Sequence, residues 1–172
     1  LNPIPPAQPP EWPDSLYWSP HWEKFLNPSC PAVSFIYNDR LSSQVNDFEA
    51  DTISALLWLL RGRMVDKLDN EWRANGTVRP PSTTAYTPEK FWEQAVGVVT
   101  PHRAQMAKIV ARLQEVFDED PAEGIRAAVD TVERFQGQQR DVIIASFGLG
   151  DPDLIGAEDE FLYNLNRFNV LT

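Results

Sequence analysis

Val129-Asp130-Thr131-Val132-Glu133-Arg134-Phe135-Gln136-Gly137-Gln138-Gln139-Arg140-Asp141-Val142-Ile143-Ile144 is the stretch whose pattern decides the architecture. Two apolar runs bracket a polar turn. The pattern predicts a strand over about Ala127 to Thr131, a short turn holding Phe135 to Gly137, and a strand from Asp141 to Ser146. A glycine between polar residues turns the backbone sharply and leaves it open to a ligand. Open α/β sheets take ligands beyond the carboxyl ends of their strands, where this turn begins. A tight connection with incidental polarity is the plainer reading. It leaves unexplained why Thr131, Gln136, Gln138, Gln139 and Arg140 crowd around one turn.

Upstream, Val96 to Thr100 reads as a strand feeding straight into a helix. Thr100 is placed to cap that helix, Pro101 fits its first turn, and Met106, Ile109, Val110, Leu113 and Val116 form its apolar stripe. A strand ending in a Thr-capped helix aims a hydroxyl and several free N–H groups at one spot, which suits a phosphate. Many purely structural helices are capped in this way, so the segment by itself favours an ordinary cap. Further upstream, Val33 to Tyr37 is expected to be a first buried strand. Asn46 is expected to cap a helix, with Glu49 completing a capping box and Gly62 marking the stop; Phe48, Ile53, Leu56, Leu57 and Leu60 supply the stripe. Thr87-Pro88-Glu89 begins a short helix through Trp92. A polar, irregular stretch lies between, from about 63 to 86, and a helical ending is expected from Glu158 onward. Strands alternating with helices predict a parallel, doubly wound α/β sheet.

Residues 1–31 are expected to form a separate proline-rich extended arm, with residues 32–172 as the domain proper. Nine prolines in the arm remove backbone donors and block helix, while Trp12, Trp18 and Trp22 pin it to a surface. A polyproline ligand for another protein is the other reading; the aromatics' need for burial favours packing on its own domain. At 172 residues, 42% hydrophobic and 23% charged, the chain has the composition of one globular domain. The longest apolar run, Ile53 to Leu60, falls well short of the roughly 20 residues that span a bilayer. No signal peptide is legible, and the start at Leu1 suggests a fragment of a longer polypeptide. One cysteine and two distant histidines predict no disulfide and no metal site. An intracellular, cytoplasmic setting is the expectation. A net charge of −10 argues against a surface coated in nucleic acid, though not against a local phosphate track built from helix N-termini. The acidic runs Asp118-Glu119-Asp120 and Glu158-Asp159-Glu160 read as solvated loop charge rather than metal ligands.

The stretch VDTVERFQGQQRDVIIAS resembles motif V of the 5′-to-3′ branch of superfamily 1 helicases, the group that includes the nonsense-mediated-decay helicase. VVTPHRAQ is similar to the segment opening the central strand–helix unit of the second motor domain in that group. FLYNLNRFNVLT resembles the approach to motif VI, and Asn46 to Ala50 fits an Asn-x-x-Glu-Ala that opens an earlier helix there. The resemblance covers about residues 33–172 in the family's order. It implies a RecA-like parallel sheet flanked by helices, C-terminally incomplete, acting as motor domain two. ATP and Mg2+ would be held mainly by an absent first RecA-like domain, and single-stranded DNA or RNA would run across both. It further implies that Thr100, Pro101, Arg103, Gln105 and Thr131 border the nucleic-acid strand, with Arg103 and Gln105 fitting a supporting role equally well. Gln136, Gly137, Gln139 and Arg140 would border the nucleotide cleft. The turn around Gly137 and the helix after Val99 are expected side by side on one rim of the sheet.

Two departures stand against the family pattern. Gln139 occupies a position where many relatives carry glutamate. The sequence also stops at Thr172, before the motif VI arginine; Arg167 lies a turn too early to replace it. No Gly-x-x-x-x-Gly-Lys-Ser/Thr loop occurs, so no catalytic residue is expected within these residues, and the chain alone is expected to hydrolyse no ATP. A non-catalytic nucleic-acid-binding or scaffolding module of the same fold is the second reading, mildly favoured by Gln139. A third is an α/β domain that binds some other ligand at its strand ends.

Overall fold

In the computed structural model, residues 7–27, 29–30, 32–65, 85–135 and 138–157 are described. Three parallel strands form the centre: β1 (Val96–Thr100), β2 (Val129–Thr131) and β3 (Val142–Ala145), in spatial order β2-β1-β3. β1 pairs with β2 through Val98↔Val129, Val99↔Asp130 and Thr100↔Thr131, and with β3 from Val96↔Val142 to Val99↔Ala145. The described helices in chain order are α1 (Trp22–Phe25), α2 (Asp47–Arg61), α3 (Pro88–Lys90), α4 (Arg103–Val116), α5 (Ala122–Ala128), α6 (Val132–Phe135) and α7 (Pro152–Ala157). The α3 turn continues into a π-helical turn, Phe91–Ala95, that runs directly into β1. This is an α/β, RecA-like arrangement of a parallel sheet flanked by helices. None of the described helices is long and apolar enough to cross a membrane.

Alternation along β1 divides the core. Val96 and Val98 face α2, α4 and α5, joining Ile53, Leu57, Ile109, Leu113, Ile125 and Trp92 in one large cluster. Val99 faces the other way, against Val132 and Phe135 of α6, with Ile143 alongside. α2 and α4 run in parallel, tied by Lys108–Asp47 and, one turn on, Arg112–Asp51 at 2.6 Å. Such half-exposed pairs contribute about 0–1 kcal/mol each, so apolar burial decides the packing. Arg112 also donates to the Ser15 carbonyl at 2.5 Å, and Trp12, Leu16 and Trp22 are buried in the large cluster. The proline-rich arm therefore packs on its own domain. It does so through turns and the single helical turn α1 rather than in the purely extended form expected, because its indoles bond back to local carbonyls: Trp12 Nε1 to Leu16 at 2.8 Å and Trp22 Nε1 to Tyr17 at 3.1 Å.

Three other expectations are corrected. Val33 to Tyr37 is no buried strand: the segment is unpaired, and Ile36 is 90% exposed. Its apolar residues mark a ring cluster instead, with Phe35 stacked on Tyr37 and on Phe48 of α2. Residues 122–128, partly read as strand, form α5, and β2 begins only at Val129. Thr100 does not cap α4, whose N-cap is His102 and whose first residue is Arg103. The helical ending from Glu158, and most of the irregular 63–86 stretch, lie outside the described residues.

Candidate nucleic-acid interface

The carboxyl ends of β1 and β2 set Thr100 and Thr131 side by side in register. Partners in adjacent parallel strands point to the same face, here the face covered by α4. Thr100 is fully buried, and its hydroxyl has no hydrogen-bond partner; Thr131 is half-buried. A buried hydroxyl left unpaired costs roughly 1–3 kcal/mol. Pro101 and His102 form the bend between strand and helix, and Arg103 lies exposed at the start of α4. The N-cap position makes no side-chain bond to the first turn. Uncapped N–H groups with the positive end of a 14-residue helix favour an anion there.

Gln105 spends its side chain inside the fold. Its Oε1 accepts from Asn46 N at 2.8 Å, and its Nε2 reaches Ser146 Oγ at 3.1 Å and the Asn46 carbonyl at 3.3 Å. The same knot takes over the expected capping box. Asn46 Oδ1 does accept from Glu49 N at 2.9 Å, but Glu49 does not return the bond, because the Asn46 N–H is already given to Gln105. Glu49 instead accepts from Tyr37 Oη at 2.5 Å, from Ser146 Oγ and from Gly148 N at 3.0 Å. Burial, with the Glu49 carboxylate behind it, pushes the Tyr37 phenol well above its ordinary value. A hydrogen bond from the Ser42 side chain, and then one from the Leu41 N–H, holds the Asp39 carboxyl below the usual range, and its other oxygen takes Asn46 Nδ2 at 2.7 Å. Sequence reading saw Asn46 and Glu49 only as a helix start. Their spacing carried no sign of the loop after β3 that they hold.

The nucleotide-cleft candidates lie elsewhere. Gln136 and Gly137 are outside the described residues. Gln138 to Asp141 lead into the amino end of β3, level with Val96, so they occupy the rim opposite Thr100. Tyr86 Oη donates to Asp141 Oδ2 at 2.9 Å on that side. Gln139 is exposed; Arg140 is half-buried, donating to the Gln139 carbonyl and Gln138 Oε1 at 3.0 Å each, with its guanidinium 5.5 Å from the Phe135 ring centre. Burial lowers the Arg140 pKa, with Glu93 acting the other way. Gln139 and Arg140 therefore do not share the rim of Thr100 as expected, while Gly137 lies outside the described residues. Parallel pairing forces the separation: a chain leaving the top of β2 must return to the bottom before β3 can begin.

The acidic run at 118–120 is partly a bracket, since Asp120 accepts from Trp92 Nε1 at 2.8 Å and pairs with Arg61 at 3.4 Å. Among the described residues, no three histidines, cysteines or carboxylates gather as a metal site.

A family model of AAA domains matches residues 17–172. The chain belongs to that AAA domain family. Over 87 residues this AAA domain is 36% identical to a protein of Dictyostelium discoideum described as a probable helicase, covering 51% of the chain. The match spans 8% of that relative's length. No solved structure matches the AAA domain.

Proposed function

We propose that this AAA domain is the second motor half of an ATP-dependent superfamily 1 helicase or translocase of the 5′-to-3′ branch. Its carboxyl rim grips the phosphates of a single strand, and its opposite rim borders a nucleotide held by a partner domain. The family match and the helicase relative support the helicase-type assignment. The observation carrying the strand grip is the unpaired Thr100 hydroxyl, registered beside Thr131 and directly ahead of an uncapped helix N-terminus. Hydroxyls and strand-end amides hold phosphates without reading bases, as a sequence-tolerant motor requires. Thr131 meets a phosphate first. Thr100 becomes reachable when the Pro101–His102 bend gives way. Two separate rims suit a motor, in which one ligand must bias the grip on another through a coupling free energy between distinct sites. Arg140, folded onto its own loop, would need to release Gln138 to reach a nucleotide.

Fluorescence anisotropy of the 172-residue chain with a labelled single-stranded oligonucleotide tests the grip. Saturable binding is expected, with T131V and R103A each weakening it about three- to tenfold. Absence of binding, or binding indifferent to both changes, overturns the assignment of this rim.

A further inference from the structure

The loop after β3 buries every residue from Ser146 to Gly150 except one. Ser146, Gly148, Leu149 and Gly150 are buried, while Phe147 is 40% exposed. Ser146 N donates to the Val99 carbonyl at 2.9 Å, carrying the pairing of β3 one residue past its end and up to the level of Thr100. One carboxylate oxygen, Glu49 Oε2, then holds both flanks of Phe147: the Ser146 hydroxyl on one side and Gly148 N on the other. Gly148 sits at φ +69°, and a Cβ there would lie 3.1 Å from the Gln105 side chain. Phe147 is thus left part-exposed between two part-buried bonds and beside a backbone conformation that suits glycine.

We propose that Phe147 is a base-stacking contact for the single strand whose phosphates lie at the Thr100–Thr131 rim; this rests on the strand grip proposed above. Stacking on an aromatic ring is sequence-tolerant, because every base has a π-face. It also needs no positive charge, which suits a chain of net charge −10. A single outward ring on a buried loop matches a base, a flat partner of similar size, better than a protein interface of 20–30 residues a side. Glu49 and Gln105 act as positioning residues that fix where the ring stands.

The test compares two labelled probes of equal length and equal phosphate count, oligothymidine and an abasic oligomer, binding to the full chain at one salt concentration. The wild type is expected to prefer oligothymidine. F147A should cut that affinity about five- to tenfold and leave the abasic affinity unchanged. F147W should preserve the preference, whereas F147L, apolar but without a ring, should lose it. Thermal melting checks that each variant is folded, and F147L carries the comparison if F147A is not. Loss on both probes equally, loss on neither, or a retained preference in F147L overturns stacking while the strand grip stands. Failure of the wild type to bind either probe overturns both.

Discussion

The two faces of the sheet are built on different scales. One is covered by α2, α4, α5 and the N-terminal arm, with Trp92, Leu57, Ile109, Leu113 and Ile125 fully buried. Among the described residues, the other is covered by α6, four residues long, through Val132 and Phe135 against Val99 and Ile143. The thick face carries the stability that holds the strands in register. The thin face depends on one close approach: a Cβ on Gly97 would fall 2.2 Å from Phe135 Cζ, so the ring lies directly on the strand backbone. The same α6 connects the two rims, joining Thr131 at one end of the sheet to the loop of Arg140 at the other. α6 is therefore a small element, with Val132 and Phe135 buried, standing between the proposed strand grip and the loop of the proposed nucleotide edge.

The largest expected effect belongs to the thick face. Trp92 is fully buried, and its indole N–H is given to Asp120. W92A removes both packing and bond and should cost about 3–5 kcal/mol, read as a drop in denaturant midpoint. A cost under about 1 kcal/mol would mean that this face is not the stabilising one. The thin face should respond less, and in a way that identifies its cause. G97A should cost about 1–3 kcal/mol by overpacking, since Phe135 is itself buried and has little room to move. Combined with F135L, the penalty of G97A should shrink, giving a non-additive double-mutant cycle. Additivity would show that the ring is not what makes glycine necessary there.

Much of this division was legible in the sequence, and its limits are physical. The stripe of α4 and the central strand Val96–Thr100 announce themselves because period and burial agree: Ile109, Leu113 and Val116 recur at helical spacing, and all of β1 is buried. α5 escapes a sequence reading because its core contribution reduces to Ile125 and Ala128, with Gly124 and Pro121 ahead of them. Too few apolar positions remained to show a period. Val33 to Tyr37 misled in the opposite sense: a dense apolar run shows that side chains seek contact, not that a neighbouring strand exists to pair with. At the candidate site, Thr100 and Thr131 were readable as strand ends. The outward turn of Phe147 and the double hold of Glu49 were not, because they arise from bonds between residues 97 and 99 positions apart. The split between the two rims was misjudged for a related reason. Sequence proximity joins Gln139 to Thr131, whereas parallel pairing sends them to opposite ends of the sheet.

The smallest expected effect separates structure from function most cleanly. Among the described residues, two threonine hydroxyls are buried without a partner: Thr52 in α2, and Thr100 at the rim. Each gives up hydration on folding and gains no bond, so an isosteric methyl should be tolerated or better. T52V and T100V are both expected to raise stability slightly, by about 1 kcal/mol or less. Their effects on binding should diverge. Thr52 lies within α2 and takes no part in the proposed strand grip, so T52V should leave oligonucleotide affinity unchanged. T100V removes the hydroxyl assigned to a phosphate and should weaken binding even as the fold gains. A buried polar group retained at a cost in stability, whose removal strengthens the fold and harms binding, is held there for a ligand. If T100V and T52V behave alike in both measurements, the Thr100 hydroxyl is only an unpaired atom in the packing, and the strand grip must be sought at Thr131 and Arg103 alone.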